Sequence, residues 1–100
     1  MEDHLSLIKN KIVLYERGLE TAREQLKTVE RIFENSAVVL EAMSPRLDLE
    51  NWIQADKNLM MWTEEHINCV QEVSRYEALL YILHKRHATV EMIVGPDPLA

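Results

Sequence analysis

The chain has 100 residues, of which 47% are hydrophobic and 28% charged, and 11 basic residues against 17 acidic ones give a formal net charge of −6. This length predicts one domain, and the composition is typical of a globular protein rather than a disordered one. The acidic surplus disfavours nucleic-acid binding, and two glycines leave no phosphate-binding loop. A single cysteine excludes an internal disulfide. With no apolar run long enough for a membrane span and no leader-like start, we expect an intracellular protein, cytoplasmic or nuclear.

Proline and glycine, which interrupt helices, are almost absent from the interior of the sequence. Only Gly18 and Pro45 precede position 95. We therefore predict an all-α chain, a single helical-hairpin domain over residues 1–100. Its parts are a helix over 3–43, a loop over 44–48, a helix over 49–94 and a C-terminal tail over 95–100.

Capping residues mark the predicted helix ends. The second helix has two candidate starts, Ser44 followed by Pro45 at the first helical position, and Asp48 as an N-cap. At its end, Gly95 followed by Pro96 predicts a stop, because glycine adopts the left-handed C′ conformation and proline cannot continue a helix.

Apolar residues recur at alternating intervals of three and four residues through both predicted helices, which is the a/d pattern of a heptad repeat. We call each series a seam. The seam of the first helix comprises Leu5, Ile8, Ile12, Tyr15, Leu19, Ala22, Leu26, Val29, Phe33, Ser36, Leu40 and Met43. The seam of the second comprises Trp52, Ala55, Leu59, Trp62, His66, Cys69, Val73, Tyr76, Leu80, Leu83, His87, Val90 and Val94.

A loop of about five residues makes the two helices antiparallel neighbours. If Met43 meets Trp52, facing residues have numbers that sum to about 95. In this register Phe33 faces Trp62, Val29 faces His66, Leu19 faces Tyr76 and Ala22 faces Val73.

Further apolar residues lie outside the seams, where a lone hairpin would leave them in water. We expect this second surface to be a protein interface, with two hairpins associating into a four-helix bundle, as a homodimer or with a different partner that supplies helices. The predicted interface residues are Ile32, Val39, Ile53, Met60, Ile67, Val70, Ile82 and Met92.

The four histidines allow two chemical hypotheses. The first is a zinc site. His84 and His87 are three residues apart, Glu91 follows His87 by four residues, and the register brings His4 near them; whether this set binds a metal is left open by the sequence. His66 is a polar seam residue that acts either as a register-specifying device or as a pH switch. A nucleophilic pair of Cys69 and His66 is disfavoured, because a seam offers neither a pocket nor oxyanion donors.

We therefore expect no catalytic, cofactor-binding or metal-binding residues. The leading hypothesis is a non-enzymatic assembly or interaction subunit, a scaffold or adaptor that acts through a coiled-coil-like hairpin. The alternative is a small regulator that binds and blocks an enzyme or a polymerase.

Overall fold

The computed structural model describes residues 2–94, with side chains from residue 4 onward, and it consists of two long helices that pack as an antiparallel hairpin. Helix α1 covers Glu2–Ala42 and helix α2 covers Leu49–Val94. Residues 2–94 contain no strand, so the predicted all-α fold class is confirmed. The predicted stop at Gly95 and the tail over 95–100 lie outside the described residues.

The seams account for the interior of the hairpin. Every seam residue from Leu5 to Met43 and from Trp52 to Val90 is buried or half-buried, and only Val94, the last one, is exposed. The most buried residues are all seam members: Ile8, Ile12, Leu19, Ala22, Cys69, Val73 and Leu80. Heptad spacing therefore determines which side of each helix is removed from water.

The hairpin divides into two compact units, each built from both helices. Within the described residues, the loop unit is the continuous segment 22–73, and the terminal unit combines 2–21 with 74–94.

In the terminal unit, a glycine accommodates an aromatic ring. Tyr76 lies so close to Gly18 that a Cβ on the glycine would be 2.7 Å from the Cε1 atom of the ring. The ring of Tyr76 also meets Tyr15, with centroids 6.1 Å apart and planes tilted by 52°. The sequence register paired Tyr76 with Leu19. In the structure its ring lies close to residues 15 and 18, because a side chain in a helical seam inserts among several residues of the facing helix.

In the loop unit, His66 stacks on Phe33. Their ring centroids are 5.3 Å apart and their planes differ by 7°. The sequence register placed Phe33 opposite Trp62 and His66 opposite Val29, so the observed ring contact joins neighbouring layers of the predicted pairing. The contact joins two segments that the register brings together, but the stack itself was not predicted.

The connection between the helices is a tight turn. The amide of Met43 donates to the Leu40 carbonyl at 3.1 Å, which closes the end of α1, and the Ser44 carbonyl accepts from both Leu47 and Asp48 at 3.2 Å. Ser44 and Pro45 therefore form the turn and do not begin α2, contrary to the first candidate start. A proline has no N–H to donate and suits a turn as well as a first helical position.

Asp48 is the N-cap of α2. Its Oδ1 accepts the Asn51 amide at 3.2 Å and its Oδ2 accepts the Asn51 side-chain amide at 2.6 Å. Its own carbonyl accepts the first helical hydrogen bond, from Trp52 at 3.0 Å. The second candidate start is therefore the one used.

Neither described helix contains a stretch long and apolar enough to cross a membrane.

Candidate functional site

The predicted interface residues lie mostly on the surface of the single chain. Seven of the eight are exposed, from Ile53 and Val70 at 41% to Met92 at 84%, and Ile32 is half-buried. Six belong to the loop unit, whereas Ile82 and Met92 belong to the terminal unit. Their exposure fits an interface role but does not test it, so that role stays a prediction.

A line of exposed apolar side chains follows α2 through the loop unit, and we call it the α2 stripe. It consists of Leu49, Ile53, Met60, Ile67 and Val70, all exposed. Ile53, Met60 and Ile67 recur every seven residues, and Leu49 and Val70 continue the line at spacings of four and three. Leu49 was not among the predicted interface residues, although its position four residues before Ile53 places it on the same face.

A second feature of the loop unit is an open groove of about 300 Å³. Its lining contains both apolar and polar side chains, including two of the predicted interface residues. The lining residues are Ile32, Asn35, Ser36, Val39, Ala55 and Asn58. The groove therefore presents amide and hydroxyl groups as well as aliphatic ones, whereas the members of the α2 stripe are all apolar.

The terminal unit also exposes large apolar side chains. The examples are Leu14, Tyr81, Ile82 and Met92. The ring of Tyr81 also forms a cation–π contact, because the Lys85 ammonium lies 5.1 Å from its centroid. Tyr81 was not among the predicted interface residues.

His66 is held by two contacts within the loop unit. Besides its stack on Phe33, its Nε2 lies 3.3 Å from Oε1 of Glu30. About a quarter of the His66 side chain and nearly half of the Glu30 side chain remain exposed. Glu30 was not a predicted partner of His66. The arrangement gives a polar seam residue both an apolar contact and an acceptor, so its position in the interior costs little.

The candidate zinc set is not assembled in the described residues. His84 Nε2 lies 3.8 Å from Glu16 Oε1, and His87 Nδ1 lies 3.8 Å from Glu91 Oε2. Among residues 4–94, no three histidine, cysteine or acidic side chains are close enough to share a metal ion. His87 Nε2 is buried without a hydrogen-bond partner in this part of the chain. His84 and His87 therefore each lie beside a different carboxylate.

Cys69 is a free, buried thiol in the seam of α2. Burial raises the pKa of this thiol, and the nearby carboxylates of Glu65 and Glu72 raise it further. An activated nucleophilic cysteine has the opposite property, a lowered pKa that supplies the thiolate at neutral pH. Cys69 therefore has the chemistry of a packed core residue.

Comparisons with protein families, with curated proteins and with solved structures find no match to this chain.

Proposed function

We propose that this protein is a non-enzymatic interaction or assembly subunit that acts through the exposed apolar surface of its helical hairpin. The observation that carries the proposal is the α2 stripe. Five large apolar side chains lie in one line on α2, and all of them are exposed in the single chain. Contiguous exposed apolar surface of this kind marks interaction sites in folded proteins.

The heptad spacing of the stripe supports a helical partner. A line of apolar residues at intervals of three, four and seven residues matches the surface of another helix with the same spacing. A four-helix bundle, formed by two hairpins or by one hairpin and a partner's helices, buries such a line.

The chemistry of the polar groups supports a non-enzymatic role. The thiol of Cys69 has a raised pKa. His66, His84 and His87 each lie beside a single carboxylate and do not converge on a shared centre in the described residues. General acid–base or metal catalysis requires such groups to converge on a pocket.

The test compares two charge insertions on adjacent residues of α2. Ile67→Glu places a carboxylate within the stripe, and Asn68→Glu places one on the neighbouring exposed polar position as a matched control. If the stripe is an interface, Ile67→Glu weakens association at least about a hundredfold, because an unpaired charge would be buried. Asn68→Glu leaves association unchanged.

Association is measured by light scattering on the purified chain and on the complex recovered from the native cell. A chain that stays monomeric, and whose Ile67→Glu variant recovers the same proteins as the wild type, would refute the proposal. A stable monomer that forms a stoichiometric complex with one enzyme, and loses it on Ile67→Glu, would instead favour the small-regulator alternative. Circular dichroism on each variant checks that the helices remain formed.

A further inference from the structure

The α2 stripe continues as a heptad line with only two polar interruptions. The positions between its members are Asp56 and Thr63, both half-buried. The Thr63 hydroxyl donates to the Leu59 carbonyl at 2.7 Å, so its hydrogen needs no partner from outside the chain. Asp56 is the one charged residue within the line. The stripe thus has the make-up of a second coiled-coil seam that carries a single acidic position.

Three charged residues at intervals of seven, Glu50, Lys57 and Glu64, flank this line on one side. Of these, Lys57 and Glu64 carry opposite charges and each follows Asp56 and Thr63 respectively by one position. No oppositely charged residue lies three or four positions from either of them on α2. Within the described residues, neither side chain forms an ion pair or a hydrogen bond. Both charges are therefore available to a partner that approaches the stripe.

We propose that the occupant of the α2 stripe is a second copy of this chain, bound so that the two α2 helices run antiparallel about a two-fold axis. The inference rests on the proposed function and names its partner. In this dimer Lys57 of each chain faces Glu64 of the other, so the two-fold axis creates the ion pair twice. Ile53 then lies opposite Val70, and Met60 lies opposite Thr63.

The charges select this register from its neighbours. Antiparallel helices with a seven-residue repeat can interlock again after a shift of one heptad. A shift in one direction brings Lys57 opposite Lys57, and a shift in the other brings Glu64 opposite Glu64. Both shifts place like charges side by side, which destabilises an interface. Of these three registers, only the proposed one pairs Lys57 with Glu64.

Asp56 disfavours a parallel dimer. A parallel, in-register pair would place each residue beside its own copy, and the two Asp56 carboxylates would meet in the apolar line. In the antiparallel register, Asp56 faces Ile67 of the other chain. One acid against an aliphatic side chain weakens the dimer, whereas two adjacent acids within an interface repel each other.

The test is charge reversal with rescue, read by sedimentation velocity of the full chain over a wide concentration range at low salt. Lys57→Glu alone and Glu64→Lys alone each replace two attractive contacts by two repulsive ones. Each variant should raise the dimer dissociation constant about tenfold. The double variant Lys57→Glu/Glu64→Lys restores both pairs with reversed polarity and should dimerise like the wild type.

A mixture of the two single variants provides a second rescue. A chain with Lys57→Glu and a chain with Glu64→Lys satisfy both pairs when they associate with each other, so the mixture should dimerise more tightly than either variant alone. Arg31→Glu on the exposed surface of α1 is the matched control, because it makes the same charge change away from the stripe. It should leave the dissociation constant unchanged.

Asp56→Ala tests the same interface by strengthening it. Removing the one charge from the apolar line should lower the dimer dissociation constant severalfold. An unchanged constant would contradict the placement of Asp56 within the interface.

A wild-type chain that remains monomeric with intact helices would overturn the two-fold dimer. The proposed function would then be decided separately, by whether Ile67→Glu weakens binding to the proteins recovered from the native cell about a hundredfold. A dimer on which Lys57→Glu has no more effect than Arg31→Glu would overturn the interface and its register, while association itself would stand. These outcomes separate failure of the dimer from failure of the proposed function.

Discussion

Substitution of Gly18 by alanine tests the packing of the terminal unit. A Cβ at this position would lie 2.7 Å from Tyr76 Cε1, 2.8 Å from Cζ and 3.0 Å from the hydroxyl oxygen, whereas ordinary Cβ contacts begin at 3.4 Å. The ring must therefore withdraw by about 0.7 Å. Because Tyr76 also contacts Tyr15, this withdrawal disturbs a second aromatic contact.

Two opposing effects determine the sign of the change in stability. Alanine is favoured over glycine within a helix by about 1 kcal/mol. Overpacking costs about 1–3 kcal/mol, and we expect about 2 kcal/mol here because the half-buried ring of Tyr76 can move toward solvent. Gly18→Ala should therefore reduce the free energy of unfolding by about 1 kcal/mol. In a domain of this size the melting temperature would fall by about 4–8 °C.

Thermal unfolding by circular dichroism, at one fixed protein concentration, measures the effect. The decisive comparison repeats Gly18→Ala in a Tyr76→Ala background. Without the ring only the helix-propensity term remains, so the same change should stabilise that background by about 1 kcal/mol. A stabilising effect in the wild type, or an equal loss in both backgrounds, would refute the inferred contact between Gly18 and the ring.

Three further results follow from the loop unit and its turn. Asp48→Ala should lower the free energy of unfolding by about 1 kcal/mol through loss of the N-cap, while Asp48→Asn should stay near the wild type; equal losses in urea titrations would exclude capping as the cause. Phe33→Ala should lower the free energy of unfolding by about 2 kcal/mol, whereas Glu30→Ala should lower it by less than about 1 kcal/mol because the pair of Glu30 and His66 is half-exposed. The opposite order in the same titrations would contradict the importance of the stack of His66 on Phe33. Burial raises the pKa of the Cys69 thiol in the folded chain, so the unfolded chain ionises first as pH rises. The stability of the wild type relative to Cys69→Ala should therefore decrease above about pH 8.5, and a constant difference in urea titrations across this range would contradict the raised pKa.

The seams could be predicted from sequence because their burial depends on spacing alone. An unbroken three-and-four pattern fixes one side of each helix, and every member up to Val90 is removed from full exposure. The same pattern also identified the off-seam apolar residues, since a position outside the seam of a two-helix hairpin has no second helix to cover it. Exposure of Ile53, Met60 and Ile67 follows from this geometry.

The ring contacts could not be predicted with equal success, because they depend on the axial offset between the helices. Heptad spacing leaves this offset free, and the turn sets it. Two candidate starts four residues apart would shift the facing layers by one helical turn. The stack of His66 on Phe33 follows from the offset that the turn sets.

The pairing of His66 with Glu30 was missed for a different reason. Glu30 lies outside the seam among other charged residues, and nothing in its sequence neighbourhood distinguishes it. Only the approach of the second helix to within 3.3 Å selects this carboxylate. Contacts between a seam residue and a residue beside the facing seam can be identified only from the three-dimensional structure.

The division of the hairpin into a continuous and a discontinuous unit has a consequence for how the chain acquires its structure during synthesis. All residues of the loop unit, 22–73, leave the ribosome before those of 74–94, so this unit can close through contacts that are short in sequence and fast to form. Residues 2–21 emerge before the loop unit yet obtain their partners only after residues 74–94 have followed it. They therefore stay without tertiary contacts longer than the loop unit does, and they are a segment on which a chaperone or a protease would act during synthesis.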